Sequence, residues 1–142
     1  MLGASDVILS AGVIIVTREL GGLHYLLLRV HNYWDFPKGI VELDELPLAG
    51  ALREVREETT LDDLVLRWGE GYRETPVYRN NKIARYYVAE TQSLDVDLPV
   101  SEELGHPEHD EFRWLTYPTA RQYLHARVQP ILDWADALIN LN

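Results

Sequence analysis

The order of apolar and polar positions divides the chain into short strands around one strongly patterned helix. Residues 7–17 are rich in Val and Ile and read as a buried strand. Gly21-Gly22 suits a hairpin turn into a second strand over 24–30. Residues 34–37, Trp-Asp-Phe-Pro, are expected to form a short extended piece, because the residue before proline avoids the helical region. Pro47 suits a first helical turn, and the spacing of Leu48, Leu52, Val55 and Thr59 predicts a helix over 48–59. Further strands are expected at 64–69, 72–78, 83–90 and 111–115, with a loop over 94–107 that contains Pro and acidic residues. A C-terminal helical region is predicted over 118–139, interrupted near Pro130. Strands surrounding helical segments indicate a mixed α/β domain with helices packed on a sheet. No repeat or linker divides the sequence, so residues 1–142 are expected to form a single domain.

The predicted helix carries the candidate chemistry. A helix turns by about 100° per residue. Glu54, Glu57 and Glu58 therefore share one face, roughly opposite the apolar positions. Like charges at i, i+3 and i, i+4 repel, and a hard divalent cation such as Mg²⁺ is the natural compensator for converging carboxylates. Arg53 lies beside this face and can pair with Glu57, or with Glu45 arriving from the preceding loop. An acidic, solvated surface helix would satisfy the same composition, so the spacing has to decide.

Bulk properties narrow the classes. The 142 residues, 46% hydrophobic and 25% charged, suffice for one core and exclude a disordered chain. No apolar run approaches the ~18 residues of a membrane span. Residues 1–6 lack a basic start leading into an apolar stretch, so no signal peptide is expected. The absence of cysteine excludes disulfide and thiolate chemistry and fits a cytoplasmic protein. A net charge of −10 opposes binding to a duplex nucleic acid. A small anionic substrate requires bound metal and a few local Lys and Arg side chains to reverse the field.

Gly39, Glu45, Arg53, Glu54, Val55, Glu57, Glu58 and Leu61 stand in the register of the Nudix box, which this stretch resembles. Two positions depart from it: Thr60 replaces the glycine at the helix end, and Asp44 replaces the one before the box glutamate. Outside the box, residues 10–15, 26–28, 34–39, 86–90, 108–109 and 112–115 resemble the asymmetrical diadenosine tetraphosphate hydrolase branch. Ile40 departs there, since histidine often follows the Lys-Gly pair in that branch.

The resemblance implies an α+β fold, an α/β/α sandwich with a mixed central sheet. It implies metal-dependent hydrolysis, with Mg²⁺ or Mn²⁺, of a phosphoanhydride bond in a nucleoside polyphosphate such as diadenosine tetraphosphate. The Gly39 carbonyl, Glu54, Glu57, Glu58 and Glu108 become candidate metal ligands. Glu57 or Glu58 becomes the candidate base, with Glu108 an alternative to them, Arg53 the positioning partner of a box glutamate, Lys38 a phosphate contact and Tyr78 a base-stacking aromatic. A 5′-pyrophosphohydrolase of RNA, an inositol pyrophosphate hydrolase and a nucleotide-sensing module are the alternatives. The expected partner is a small molecule, with neither duplex nucleic acid nor membrane; oligomeric state stays open.

Overall fold

The computed structural model describes residues 7–141, so the expectation about a signal peptide at residues 1–6 lies outside the described residues. The Val- and Ile-rich segment forms β1 (Ile8–Thr17) at the middle of a seven-stranded sheet. Its side chains alternate between two cores, Ala11, Val13 and Ile15 on one face, Ile14 and Val16 on the other. This is why the strand reads as a continuous apolar run rather than an alternating one. It pairs along its length in parallel with β6 (Lys82–Glu90) and antiparallel with three residues of β4 (Lys38–Ile40). With β2 (His24–Val30) it pairs only at Val16 and Thr17, beside the Gly21-Gly22 turn.

β1 and β2 therefore diverge, and the gap is filled by a wedge. β3 (Tyr33–Asp35) follows β2 while β4 follows β1, and Phe36-Pro37 links them. The Pro37 carbonyl accepts from the Val13 amide at 3.1 Å. This wedge carries Lys38 and Gly39 to the mouth of the sheet. On its other edge β2 pairs with β7 (Glu111–Leu115).

One face of the sheet is covered by α1 (Pro47–Thr59) and the loop after it, the other by α2 (Tyr117–Tyr123) and α3 (Gln129–Ile139). The result is the expected α/β/α sandwich on a mixed sheet. No helix among the described residues is long and apolar enough to cross a membrane.

Three predicted elements differ. Residues 64–69 do not form a strand; only Val65 exchanges backbone bonds with Glu90, and Gly69, at φ 92°, turns back to the Leu66 carbonyl. The strand expected over 72–78 stops as β5 (Tyr72–Glu74) because Pro76 has no N–H for the ladder. Tyr78 meets Lys82 again beyond it in an isolated bridge. In the C-terminal region the interruption falls at residues 124–128, where Leu124 is extended at ψ 143°. Pro130 instead opens α3, where its missing N–H is harmless.

Candidate active site

Arg53 organises the start of the site. Its guanidinium holds Glu45 through a two-pronged pair, Nε at 2.7 Å and Nη2 at 3.0 Å, and reaches Glu54 at 2.9 Å and Glu57 at 3.0 Å through Nη1. Nη2 also donates to the Ile40 carbonyl at 3.2 Å. Helix, preceding loop and β4 are thus tied by one planar fork, a geometry lysine cannot reproduce. Both pairings expected for Arg53 occur together. Its hydrogen bonds hold the Glu45 carboxyl down at about 2. Gly50 leaves room for that carboxylate: a Cβ there would lie 2.8 Å from Glu45 Oε1.

The three box glutamates do not share one environment. Glu57 is 57% exposed, Glu54 13% and Glu58 only 3%, so the face they share is graded from solvent to interior. The apolar face differs too, since Ala51, Val55 and Thr59 are buried while Leu48 and Leu52 are half-buried. Glu58 follows Val55 by three residues, which leaves it about 60° away round the helix and turned toward the sheet. Gly39 is pressed against the Glu54 carboxylate so closely that any side chain would collide with it.

Glu58 Oε1 accepts from the Lys38 amide at 3.3 Å and stands 4.0 Å from His109 Nε2. One ligand atom each from Glu58, Glu108 and His109 lie within 4.8 Å of one another. Burial, then the charges of Glu108 and Glu54, push the Glu58 carboxyl up to about 10. Glu54 is raised as well, first by burial. A buried carboxylate crowded by two others is a well of negative charge, and this donor set of oxygens and one imidazole fits a divalent cation.

Lys38 stands on the far side of the cluster, with Nζ 3.7 Å from Asp35 Oδ2. Asp35 is buried and anchored by the Tyr86 hydroxyl at 2.9 Å and the Phe36 amide at 2.7 Å. Burial works to lower the Lys38 pKa, but Asp35 and the surrounding tyrosines outweigh it, so the ammonium stays charged.

The depressions form a trough. Glu108 and His109 border both a cavity of about 520 Å³ beside α1 and a smaller one of about 190 Å³ above Asp35. Tyr33 and Lys38 join the second to a third, about 160 Å³, lined also by Tyr78, Arg79, Lys82 and Arg127. Four cations gather there in a chain of net charge −10. Arg127 lies 4.0 Å from the Tyr78 ring centre and donates to the Tyr33 hydroxyl at 2.6 Å, so one face of Tyr78 is already covered.

The site thus brings together Gly39, Arg53, Glu54, Glu57, Glu58 and Glu108, while Lys38 and Tyr78 serve its cationic arm. Sequence reasoning assigned no role to His109, Asp35, Arg79, Lys82 or Arg127. The positions of Arg79 and Lys82 beside Tyr78 were a usable signal. Nothing local marked Arg127, which comes from the α2–α3 connection.

A carboxylate well opening onto a cationic groove, on this sandwich, defines a hydrolase of phosphoanhydride bonds. The NUDIX domain matches residues 7–135. The bis(5′-nucleosyl)-tetraphosphatase [asymmetrical] of Sus scrofa is 34% identical over 125 residues, covering 80% of this chain and 82% of the relative. Its Mus musculus counterpart is 33% identical over the same shares. The crystal structure of a C. elegans Ap4A hydrolase binary complex superposes with a TM-score of 0.80 at 24% identity, over 94% of this chain and 99% of that one. The chain belongs to the Nudix hydrolase family.

Proposed function

We propose that this chain hydrolyses a dinucleoside tetraphosphate, diadenosine tetraphosphate being the reference substrate, by metal-assisted attack of water on one phosphorus. The observation that carries this reading is the trough itself, in which a buried carboxylate cluster and a four-cation pocket share the Lys38 wall. The tetraphosphatase relatives support the same substrate class.

The Gly39 carbonyl, Glu54, Glu57, Glu58 and Glu108 would hold Mg²⁺ or Mn²⁺, which when bound neutralises phosphate charge and acidifies water. Glu57, the exposed carboxylate, or Glu58 in its ionised form takes the proton of the attacking water. The water oxygen bonds to phosphorus and the bridging P–O bond breaks, its electron pair leaving on the departing phosphate. Arg53 positions Glu54 and Glu57. Lys38 carries charge to a phosphate oxygen, and Tyr78 offers its uncovered ring face to a base, worth about 1–3 kcal/mol. The cysteine-free sequence supports a cytoplasmic setting.

The test is a panel assayed with Mg²⁺: diadenosine tetraphosphate, a nucleoside triphosphate, 5′-triphosphate RNA and an inositol pyrophosphate. The dinucleotide should have the highest kcat/KM, and chelator should abolish its turnover. Preference for RNA or the inositol compound would overturn the substrate, and full turnover in chelator would overturn the mechanism.

A further inference from the structure

Asp35 is a buried carboxylate to which the chemistry above gives no task. It lines the middle depression together with Lys38, Glu108 and His109. A negative charge at that place opposes a polyphosphate, and its burial is costly unless neighbours compensate. Its bonds show what it is fixed for. Oδ1 accepts from the Phe36 amide at 2.7 Å and from the Tyr86 hydroxyl at 2.9 Å, and Oδ2 lies 3.1 Å from the same hydroxyl. Oδ2 also faces Lys38 Nζ at 3.7 Å, inside ion-pair range and beyond that of a hydrogen bond. The ammonium is therefore aimed by charge, while none of its N–H groups is committed to Asp35.

The sheet register explains how these groups meet. Lys38 and Tyr86 stand opposite Gly12 on either side of β1, so the row Lys38-Gly12-Tyr86 points to one face. Neighbouring strands are about 4.8 Å apart, which separates the Lys38 and Tyr86 backbones by about 10 Å. Glycine leaves the lane between them open, since a Cβ on Gly12 would collide with the Pro37 carbonyl and the Lys38 side chain. Asp35, arriving from β3, bridges the two. Tyr86 is fully buried and its ring meets Phe36 edge to face at 5.6 Å, so its hydroxyl is a fixed point. The core sets the hydroxyl, the hydroxyl sets the carboxylate, and the carboxylate sets the ammonium.

We propose that Asp35 is a positioning residue: held by Tyr86, it keeps the Lys38 ammonium over the trough for transfer to a phosphate oxygen, and it serves the reaction only through Lys38. The inference rests on the hydrolase reading above and adds to it the device that aims its phosphate contact.

The experiment is a double-mutant cycle on Asp35 and Lys38, with kcat and KM for diadenosine tetraphosphate read separately. Asp35→Asn keeps an oxygen for the Phe36 amide and the Tyr86 hydroxyl and removes the charge. It should raise KM about tenfold, the scale of coupled neighbours, and leave kcat within about twofold. Lys38→Gln should raise KM at least as much, and adding Asp35→Asn to it should cause no further loss. Tyr86→Phe loosens the carboxylate without removing its charge; its smaller rise in KM should likewise vanish in the Lys38→Gln background. The same pattern should appear in the Kd for inorganic tripolyphosphate measured with Mg²⁺, which needs no turnover. An Asp35→Asn loss that is equal with and without Lys38, or one that falls on kcat alone, would overturn the positioning role while leaving the hydrolase reading intact. If Asp35→Asn does not fold, Tyr86→Phe carries the same cycle. Absence of wild-type turnover would sink the hydrolase reading instead, and the cycle on tripolyphosphate binding would still decide whether Asp35 acts through Lys38.

Discussion

Glu58 shows at the scale of one residue how helical phase and tertiary burial combine. Its place in the box identified it as a candidate; the packing of Val55 and Thr59 turned it into a buried acid. Burial and the neighbouring Glu108 and Glu54 raise its carboxyl to about 10. The unfolded chain releases this proton in the ordinary carboxylate range, while the folded chain keeps it until far higher pH. Folded stability therefore declines as pH rises between those limits. A divalent cation favours the ionised form and opposes the decline. Thermal melts of metal-free protein from about pH 5 to about pH 9 should show a falling Tm, with Mg²⁺ stabilisation growing over the same interval. Glu58→Gln should flatten both trends; an unchanged Mg²⁺ response in that variant would remove Glu58 from the metal set. His109 was less legible than Glu58 because a lone histidine in an acidic loop has no pattern to mark it.

At the scale of an element, α1 began and ended where its sequence indicated, and both departures from the box fell at its flanks. Asp44 takes φ 65° and Thr60 φ 66°, the left-handed conformation that glycine adopts freely. Aspartate tolerates it, but a β-branched threonine does so under strain. Thr60→Gly should therefore raise stability by about 1 kcal/mol, read as a shift of the urea midpoint, and leave kcat within about twofold. A destabilised Thr60→Gly would mean that its hydroxyl, bonded to the Thr59 carbonyl, outweighs the strain. Strands were less legible than this helix. The 64–69 and 72–78 segments have strand-like residues, yet the Gly69 turn and Pro76 remove ladder bonds that composition does not count.

Across the whole molecule the sheet separates two cores. Leu132 is fully buried in the core beneath α2 and α3, on the face away from α1. Leu132→Ala should cost about 2–5 kcal/mol in denaturant unfolding. At temperatures where the variant is folded, its kcat should stay within about twofold. A kcat that falls with the substitution while the protein remains folded would show that the two faces are coupled. The sequence by itself determined the family, the α1 carboxylates, Arg53, Lys38 and the order of the main elements, because these depend on local period and fixed spacing. Tertiary structure alone decided which glutamate is buried, that Glu108 and His109 meet Glu58, and that Arg127 lies over Tyr78. Those contacts join residues far apart in the chain, and they depend on the divergence of β1 from β2 and on how the loops close over it, which no local pattern encodes.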